Sequence, residues 1–279
     1  MKKIRVTIPK YVGDILKYDA TEFGISKNFL LNYLVKNYSI LMEKNMYILE
    51  DEKEIIQFNL NKENEDFYTE VYNKSDFETE ASFIRTLVYG YISQSKVIRE
   101  RFIFGKLIEK IQRGIKYKKK IKIKFEKIEK IVSPYNILYS SMEVSNYLFC
   151  YSKIDDTYKN YKLCNIKYVY ILDENRYEIE KEYLKRVKEN FDPFLSYGMS
   201  VEIKLNENGK KKYCRMKTNR PKLIKKLDNS WIVEGSEEKI KRYFCYFMSD
   251  VEIIKPLSLK KWFYEEAQKL VERYKKDSK

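Results

Sequence analysis

The 279-residue chain carries 56 lysine and arginine residues against 41 acidic residues, a net charge of +15, and it has no histidine. The absence of histidine excludes His-based acid–base catalysis and most catalytic zinc sites, so we expect no enzyme, no cofactor and no metal site. The positive charge favours a polyanionic partner such as nucleic acid. An A/T-rich genome would equally account for the lysines and for the 26 tyrosines.

The apolar content allows packed cores, since 44% of the residues are hydrophobic and 15% are aromatic. The four cysteines form no C-x-x-C pair, which favours reduced structural thiols in a cytoplasmic, prokaryotic protein. These are Cys150, Cys164, Cys214 and Cys245. No stretch approaches the roughly 18 apolar residues of a membrane span, so we expect no membrane partner.

The chain opens on KKIRVTIPK, whose alternation is typical of a half-buried strand. Its inward residues are Ile4, Val6 and Ile8, and its outward residues are Lys3, Arg5 and Thr7. A helix that ends at Gly24 and a second helix capped by Ser26 follow. Residues 1–48 are therefore predicted to form a strand, a helix, a turn and a helix.

The same order recurs over residues 49–104, which begin with a strand at 56–61. Its inward residues are Ile56, Phe58 and Leu60, and its outward residues are Gln57, Asn59 and Asn61. A turn near 75–77 is expected next, and then a helix capped by Thr79. A single strand cannot satisfy its own amides, so the two strands are predicted to pair.

The segments KKIRVTIP with GISKNFLLNYLV, and QFNLN with TEASFIRTLV, resemble the ribbon-helix-helix family. The resemblance implies a pseudo-dimer within one chain, whose paired strands enter the DNA major groove. The outward residues would then face bases, where Arg or Lys suits guanine and Gln or Asn suits adenine. The family also implies phosphate contacts at the start of the second helix, here Ser26, Lys27, Asn28 and Thr79. Alternatively, the outward residues are only the solvated face of a hairpin.

A long helical connector is predicted from Phe83 to Ile111, and short alternating strands with turns at 140–141 and 155–156 then favour a small barrel. The segments SPYNIL, NYLFCYS and KNYKLCNI resemble the WYL domain, an Sm-like barrel of prokaryotic regulators, over 105–180. Asn146 stands where that family has its tryptophan. The resemblance implies a pocket for a nucleotide or single-stranded nucleic acid, with candidates Tyr147, Lys159, Lys162 and Asn165. The alternative is that these are ordinary strand residues.

Three further lysines, Lys120, Lys122 and Lys124, share one face of a predicted strand. They could form a stripe that contacts phosphates. A soluble sheet edge that discourages aggregation is the alternative.

Residues 181–279 follow a βαββαβ order, a ferredoxin-like arrangement, with a final helix. The ending, VEIIKPLSLKKWFYEEAQKLVERY, resembles the extension that follows WYL domains, with Leu257, Phe263 and Leu270 on one helix face. The resemblance implies homodimerisation through this region.

Taken together, these features predict an α+β multidomain, nucleic-acid-binding regulatory protein. The first hypothesis is a transcription regulator that binds duplex DNA through its paired strands and a nucleotide or single-stranded ligand through its barrel. The second is an accessory protein that binds single-stranded RNA beside an RNA-guided CRISPR effector, because WYL proteins with such headpieces occur there.

Overall fold

The computed structural model describes residues 2–42, 48–73 and 77–276. Within these ranges the chain is a mixed α/β protein with eleven α-helices and three antiparallel sheets. It forms two compact units, residues 1–139 with 144–178 and residues 140–143 with 179–279. Of the helices described, none is both long enough and apolar enough to cross a membrane.

The first unit begins with a two-stranded sheet, here called the ribbon. Strand β1 (Lys3–Pro9) pairs antiparallel with β2 (Lys53–Asn59), as predicted. The alternating side chains that point inward are at most 4% exposed; they are Ile4, Val6, Ile8, Ile56 and Phe58. The predicted second strand, 56–61, is shifted: it starts three residues earlier and ends at Asn59.

Seven helices accompany the ribbon: α1 (Lys10–Glu22), α2 (Lys27–Lys36), α3 (Tyr38–Met42), α4 (Lys62–Asn73), α5 (Glu80–Ile92), α6 (Lys96–Ile103) and α7 (Gly105–Lys116). Gly24 follows α1 with φ +60, a left-handed conformation that glycine adopts without strain. Of the turn expected at 75–77, residues 75 and 76 lie outside the described residues.

The predicted continuous connector from Phe83 to Ile111 is wrong, because the chain breaks into α5, α6 and α7. The first break contains Ser93 and Ser95, residues whose hydroxyls compete with the helical backbone for hydrogen bonds. The Ser93 hydroxyl donates to the carbonyl of Gly90 at 2.9 Å. Apolar periodicity continues through such a break and therefore hides it.

One hydrophobic core serves both predicted copies. Leu16, Leu30 and Leu34 from the first copy pack in the same cluster as Phe83 and Leu87 from the second. Since neither strand–helix–helix segment buries its apolar face alone, the described residues of both copies pack around one core with the ribbon.

A five-stranded sheet completes the first unit: β3 (Lys119–Phe125), β4 (Ile128–Ser140), β5 (Ser145–Ser152), β6 (Thr157–Lys162) and β7 (Ile166–Asn175). The order is β6-β5-β4-β3-β7, so β6 and β7 are its edges. Only the three residues Leu163–Asn165 join these two edges, which requires the sheet to curl strongly. Among the described strands no β6–β7 ladder closes it, so the expected closed barrel is replaced by a curled open sheet.

The second unit contains α8 (Lys181–Glu189), β8 (Ser200–Leu205), α9 (Glu207–Arg215), β9 (Lys222–Lys226), β10 (Trp231–Glu234), α10 (Glu237–Phe244), β11 (Val251–Lys255) and α11 (Leu257–Lys276). Its antiparallel sheet has the order β11-β8-β10-β9, which confirms the predicted βαββαβ element order. Ile203, Val233 and Phe244 lie in its core.

The predicted buried face of α11 is partly wrong. Leu257 is 76% exposed, whereas Leu259 is fully buried and Phe263 packs on the same core. Leu259 and Phe263 are four residues apart and so share one helix face. Leu270, seven residues after Phe263, continues that face but is exposed, whereas Leu257 lies off it. The later part of the helix carries exposed apolar side chains at Tyr264, Leu270, Val271 and Tyr274.

The four cysteines are free thiols. Cys150 and Cys164 are buried, and burial raises the pKa of the Cys164 thiol to about 11. Cys214 and Cys245 are exposed, so the structural role expected of all four fits only the two buried ones.

Candidate nucleic-acid interface

The ribbon presents one face of polar side chains. Its register places Lys3 opposite Asn59, Arg5 opposite Gln57, and Thr7 opposite Ile55. All six side chains are exposed. The structure thus brings five of the six predicted outward residues onto one surface, together with Ile55.

Ile55 is the outward residue that the sequence reasoning missed. It is 51% exposed, although Ile56 beside it is buried. Ile55 was missed because the predicted strand began at residue 56, whereas β2 begins at Lys53. Counting back in steps of two from the buried Phe58 places Ile56 inward and Ile55 outward, so strict alternation carried the signal.

Asn61 does not belong to this face, which corrects the prediction. It lies beyond the end of β2, where its side-chain oxygen accepts a hydrogen bond from the backbone N–H of Asn64 at 2.8 Å. This is the geometry of a helix N-cap, here at the start of α4. The side chain of Asn61 therefore orders a helix.

Asn28 is also a structural residue. Its side-chain oxygen accepts a hydrogen bond from the backbone N–H of Asn59 at 2.9 Å. Four residues along the same helix, Asn32 donates to the carbonyl of Asn59 at 2.9 Å and accepts from the N–H of Asn61 at 2.9 Å. The two amides fix the end of β2 to α2, so the oxygen of the Asn28 side chain has a structural role.

The two predicted helix caps form, and both leave less room for an anion than the resemblance implies. The hydroxyl of Ser26 accepts from the N–H of Phe29 at 3.0 Å, and that of Thr79 accepts from the N–H of Ser82 at 3.1 Å. Glu80 adds a carboxylate to the first turn after Thr79, which repels phosphate. Lys27 is left as the partly exposed cation at these termini.

The lysines of β3 share one face, as predicted, but carboxylates and aromatic rings contact them. Lys120 pairs with Glu174 at 2.7 Å and lies over the ring of Tyr177. Lys122 pairs with Glu129 at 2.9 Å. Because neighbouring strands supply carboxylates, this stripe is more nearly neutral than its sequence suggests. Lys124 lies 5.9 Å from the ring centroid of Tyr168.

The predicted pocket residues lie along β5, β6 and the turn after them. Tyr147 is only 6% exposed and pairs in register with Lys162. Lys162 contacts Glu22 at 3.4 Å, and Lys159 contacts Asp155 at 3.8 Å. In the sheet order, β5 and β4 separate β6 from the lysines of β3. The two predicted lysine groups therefore lie on strands that are not hydrogen-bonded neighbours.

The last pocket candidate, Asn165, is half-buried in the short helical turn Leu163–Asn165. Its side-chain oxygen lies 3.6 Å from the thiol sulfur of Cys164, which donates to it.

A buried polar cluster joins α6 to β5, and the sequence reasoning missed it. Asn146 is fully buried; its backbone and side-chain N–H groups donate to one carboxylate oxygen of Glu100 at 2.8 and 2.7 Å. The Nε of Arg101 donates to the Asn146 side-chain oxygen at 2.7 Å. The position where the WYL resemblance expects tryptophan thus holds an amide that donates to one oxygen of a buried acid.

The burial of Glu100 predicts a pH effect on stability. Burial raises the pKa of its carboxyl, and the hydrogen bonds from Asn146 offset this only in part. The folded chain therefore holds this proton more tightly than the unfolded chain, whose glutamates titrate near pH ~4.3. The stabilising contribution of the Glu100 carboxyl is full below the unfolded pKa and falls as the pH rises through the folded pKa.

We expect Glu100→Gln to gain stability relative to the parent protein as pH increases from about 4 upward. Urea unfolding of both proteins across that pH range measures the difference. The exposed Glu109, on α7, provides the control Glu109→Gln, whose curve should stay parallel to the parent's. A parallel curve for Glu100→Gln as well would contradict the expectation.

The sequence matches no known protein family and no curated protein. Among solved structures, a CRISPR Cas-related protein is similar, with a TM-score of 0.68 and 16% identity over 100% of this chain and 95% of that one. The proteasome accessory factor B/C of Arthrobacter aurescens aligns with a TM-score of 0.31 and 12% identity, over 89% of this chain and 44% of that one. The first similarity shows a shared fold along the whole chain.

Proposed function

We propose that the chain is a nucleic-acid-binding regulatory protein whose ribbon enters the major groove of duplex DNA in the manner of the ribbon-helix-helix family. The register carries this proposal, because it sets Arg5 opposite Gln57 and Lys3 opposite Asn59 on one exposed face. A two-stranded ribbon of this kind fits the major groove. Since one chain supplies both strands, the two copies act as a pseudo-dimer.

The outer face of the ribbon is chemically asymmetric. Lys3 and Arg5 suit guanine, Gln57 and Asn59 suit adenine, and the apolar Ile55 suits the thymine methyl group. A symmetric pair of identical strands would read two equal half-sites. This ribbon is expected to read a site that is guanine-rich under β1 and A·T-rich under β2.

The ribbon assignment is tested with a duplex selected from a random library by the full-length protein. Arg5→Ala and Gln57→Ala should each weaken binding of that duplex about 5- to 150-fold, the range for a lost base contact. Lys159→Ala removes a positive charge from β6, outside the ribbon, and should bind as the parent protein does. If both ribbon variants keep the parent's affinity, the ribbon does not read DNA.

The second candidate function is that of an accessory protein of an RNA-guided CRISPR effector that binds single-stranded RNA. It is favoured by the fold shared with a CRISPR Cas-related protein and by the curled sheet, which we assign to the WYL type. Its ligand would lie at Lys159 and Lys162 with Asn165 nearby, since lysine contacts phosphate as a point charge.

A comparison of single-stranded RNA with duplex DNA at two salt concentrations separates the two functions. The accessory role requires tighter binding to the single strand and a loss of that binding in the double variant Lys159→Ala, Lys162→Ala. Loss of two phosphate contacts should also flatten the salt dependence by roughly 0.7 per contact. Preference for the duplex would favour the regulator.

We also propose that the protein is a homodimer through α11. Tyr264, Val271 and Tyr274 are spaced at seven and three residues, so they share one helix face. All three are more than half exposed. An apolar stripe of this kind is typical of a helix that packs against a partner, and a second copy of the chain would bury it.

A further inference from the structure

A dense cluster of positive charge lies in the second unit. Residues 207–226 contain nine lysines and arginines and one acidic residue, Glu207. Their net charge of +8 is more than half of the +15 of the whole chain. These residues form α9, the loop after it, and β9.

Most of this charge has no acidic partner. Lys210 pairs with Glu207 at 2.7 Å and Lys212 with Asp250 at 2.7 Å. Within the described part of the chain, no carboxylate lies within ion-pair distance of the other seven, which are Lys211, Arg215, Lys217, Arg220, Lys222, Lys225 and Lys226. Unpaired like charges repel one another, so an anion bound among them would be stabilised.

A cavity of about 540 Å³ opens among these residues. Four cations, Lys217, Arg220, Lys222 and Lys226, contribute to its lining. No acidic side chain is among its lining residues, and the aromatic rings of Tyr213 and Trp231 form part of its wall. Its size is within the range of small-molecule sites.

The aromatic wall is ordered by its own contacts. The rings of Tyr213 and Trp231 meet edge to face, with centroids 5.5 Å apart. The guanidinium of Arg220 donates to the carbonyl of Tyr213 at 3.3 Å and lies 5.4 Å from that ring's centroid. Lys226 Nζ lies 4.9 Å from the ring centroid of the half-buried Trp231. The wall of the cavity thus contains the guanidinium of Arg220, held by Tyr213, and the indole of Trp231, which lies beneath the ammonium of Lys226.

A simpler explanation covers part of this surface. Strand β9 is at the edge of its sheet, and exposed lysines on edge strands discourage aggregation. That explanation accounts for Lys222, Lys225 and Lys226. It accounts neither for Lys217 and Arg220 in the loop before the strand nor for an indole in the wall of an otherwise cationic cavity.

We propose that this cavity binds single-stranded nucleic acid. One base would contact Trp231, and its flanking phosphates would contact Lys217 and Lys222. A base that stacks on the indole takes the place of the Lys226 ammonium, which then pairs with phosphate. Bases within a duplex are already stacked and cannot use the indole. Charge continues outside the cavity at Lys211 and Arg215, which favours a strand over a free nucleotide.

The test uses intrinsic fluorescence, because the chain has two tryptophans, Trp231 and Trp262. In the full-length variant Trp262→Phe, Trp231 is the sole reporter. Titration with a 20-nucleotide single-stranded oligouridylate should quench it. The double variant Lys217→Glu, Lys222→Glu, made in the same background, should bind at least about tenfold more weakly at low salt. The control Lys185→Glu, Lys188→Glu makes the same charge change on exposed residues of α8 and should bind as the background does.

Three results would overturn the proposal. They are no quenching by the strand, equal quenching by uridine monophosphate at the same nucleotide concentration, and equal weakening by the α8 control variant. One further titration tests whether the ribbon contributes to the signal from this cavity. Arg5→Ala with Gln57→Ala should leave the quenching of Trp231 unchanged, so failure of the ribbon proposal and failure of this one give different results.

Discussion

Replacing Asp19 with alanine is expected to lower the free energy of unfolding by about 3–5 kcal/mol, the cost of leaving a buried charge unpaired. Asp19 is fully buried on α1. Its carboxylate accepts from Nε and from a terminal nitrogen of Arg99 at 2.6 and 3.0 Å, and from the hydroxyl of Tyr91 at 2.8 Å. The triad joins α1, α5 and α6 inside the first unit.

The loss of stability in Asp19→Ala comes from the two buried groups that bonded to Asp19. Without Asp19, Arg99, which is 8% exposed, keeps its charge beside the carbonyl of Gln94 at 2.7 Å and the ring of Tyr91, but with no carboxylate. Burial, followed by the nearby Asp19 charge, raises the pKa of Tyr91, so its hydroxyl stays protonated and loses its acceptor. The double variant Asp19→Leu, Arg99→Met removes both charges and should recover much of the stability, because an apolar replacement of a buried ion pair is often tolerated.

Urea unfolding followed by circular dichroism measures these differences. Asp14→Ala is the matched control: Asp14 is on the same helix, and its ion pair with Lys17 is exposed. It should change stability by no more than about 0.5 kcal/mol. A loss for Asp19→Ala no larger than that of the control would show that the triad is not a stabilising element.

The local features of the first unit could be predicted from the sequence, whereas the triad could not. Alternation in KKIRVTIPK located β1, and Ser26 and Thr79 marked the starts of α2 and α5, because these signals act within a few residues. Asp19 and Arg99 are 80 residues apart. In the sequence, each of the two residues looks like an ordinary solvated charge on a helix. Only the folded arrangement of α1 and α6 brings them together.

The same distinction separates the candidate residues that lie on the outer face of the ribbon from those that do not. Arg5 and Gln57 face outward because strand geometry alone decides it. Asn28 bonds a backbone N–H 31 residues away, and in sequence it looks the same as an asparagine that is free. Asn61 caps α4 three residues on, a local signal that the predicted strand end at 61 concealed. Likewise, Lys122 could not be matched to Glu129 before the strand pairing was known.

Replacing Asn146 with tryptophan is expected to destabilise the first unit by at least about 1–3 kcal/mol, the cost of leaving a buried polar group without its hydrogen-bond donors. The WYL resemblance alone would suggest the opposite, since tryptophan is the residue of that signature. In this chain Asn146 is fully buried and donates twice to Glu100. An indole supplies one donor in a different position and also overfills a close-packed site.

The control for the Asn146→Trp prediction is Asn175→Trp at the exposed end of β7, which should cost little. Urea unfolding of the two variants at neutral pH gives the comparison, and the added Glu100→Gln substitution identifies the cause. If the loss in Asn146→Trp comes from the Glu100 carboxylate, Glu100→Gln should recover part of it, because the glutamine carries no charge to leave unpaired. Equal stability of Asn146→Trp and the parent protein would show that the amide cluster is dispensable and that the position still accepts the signature residue.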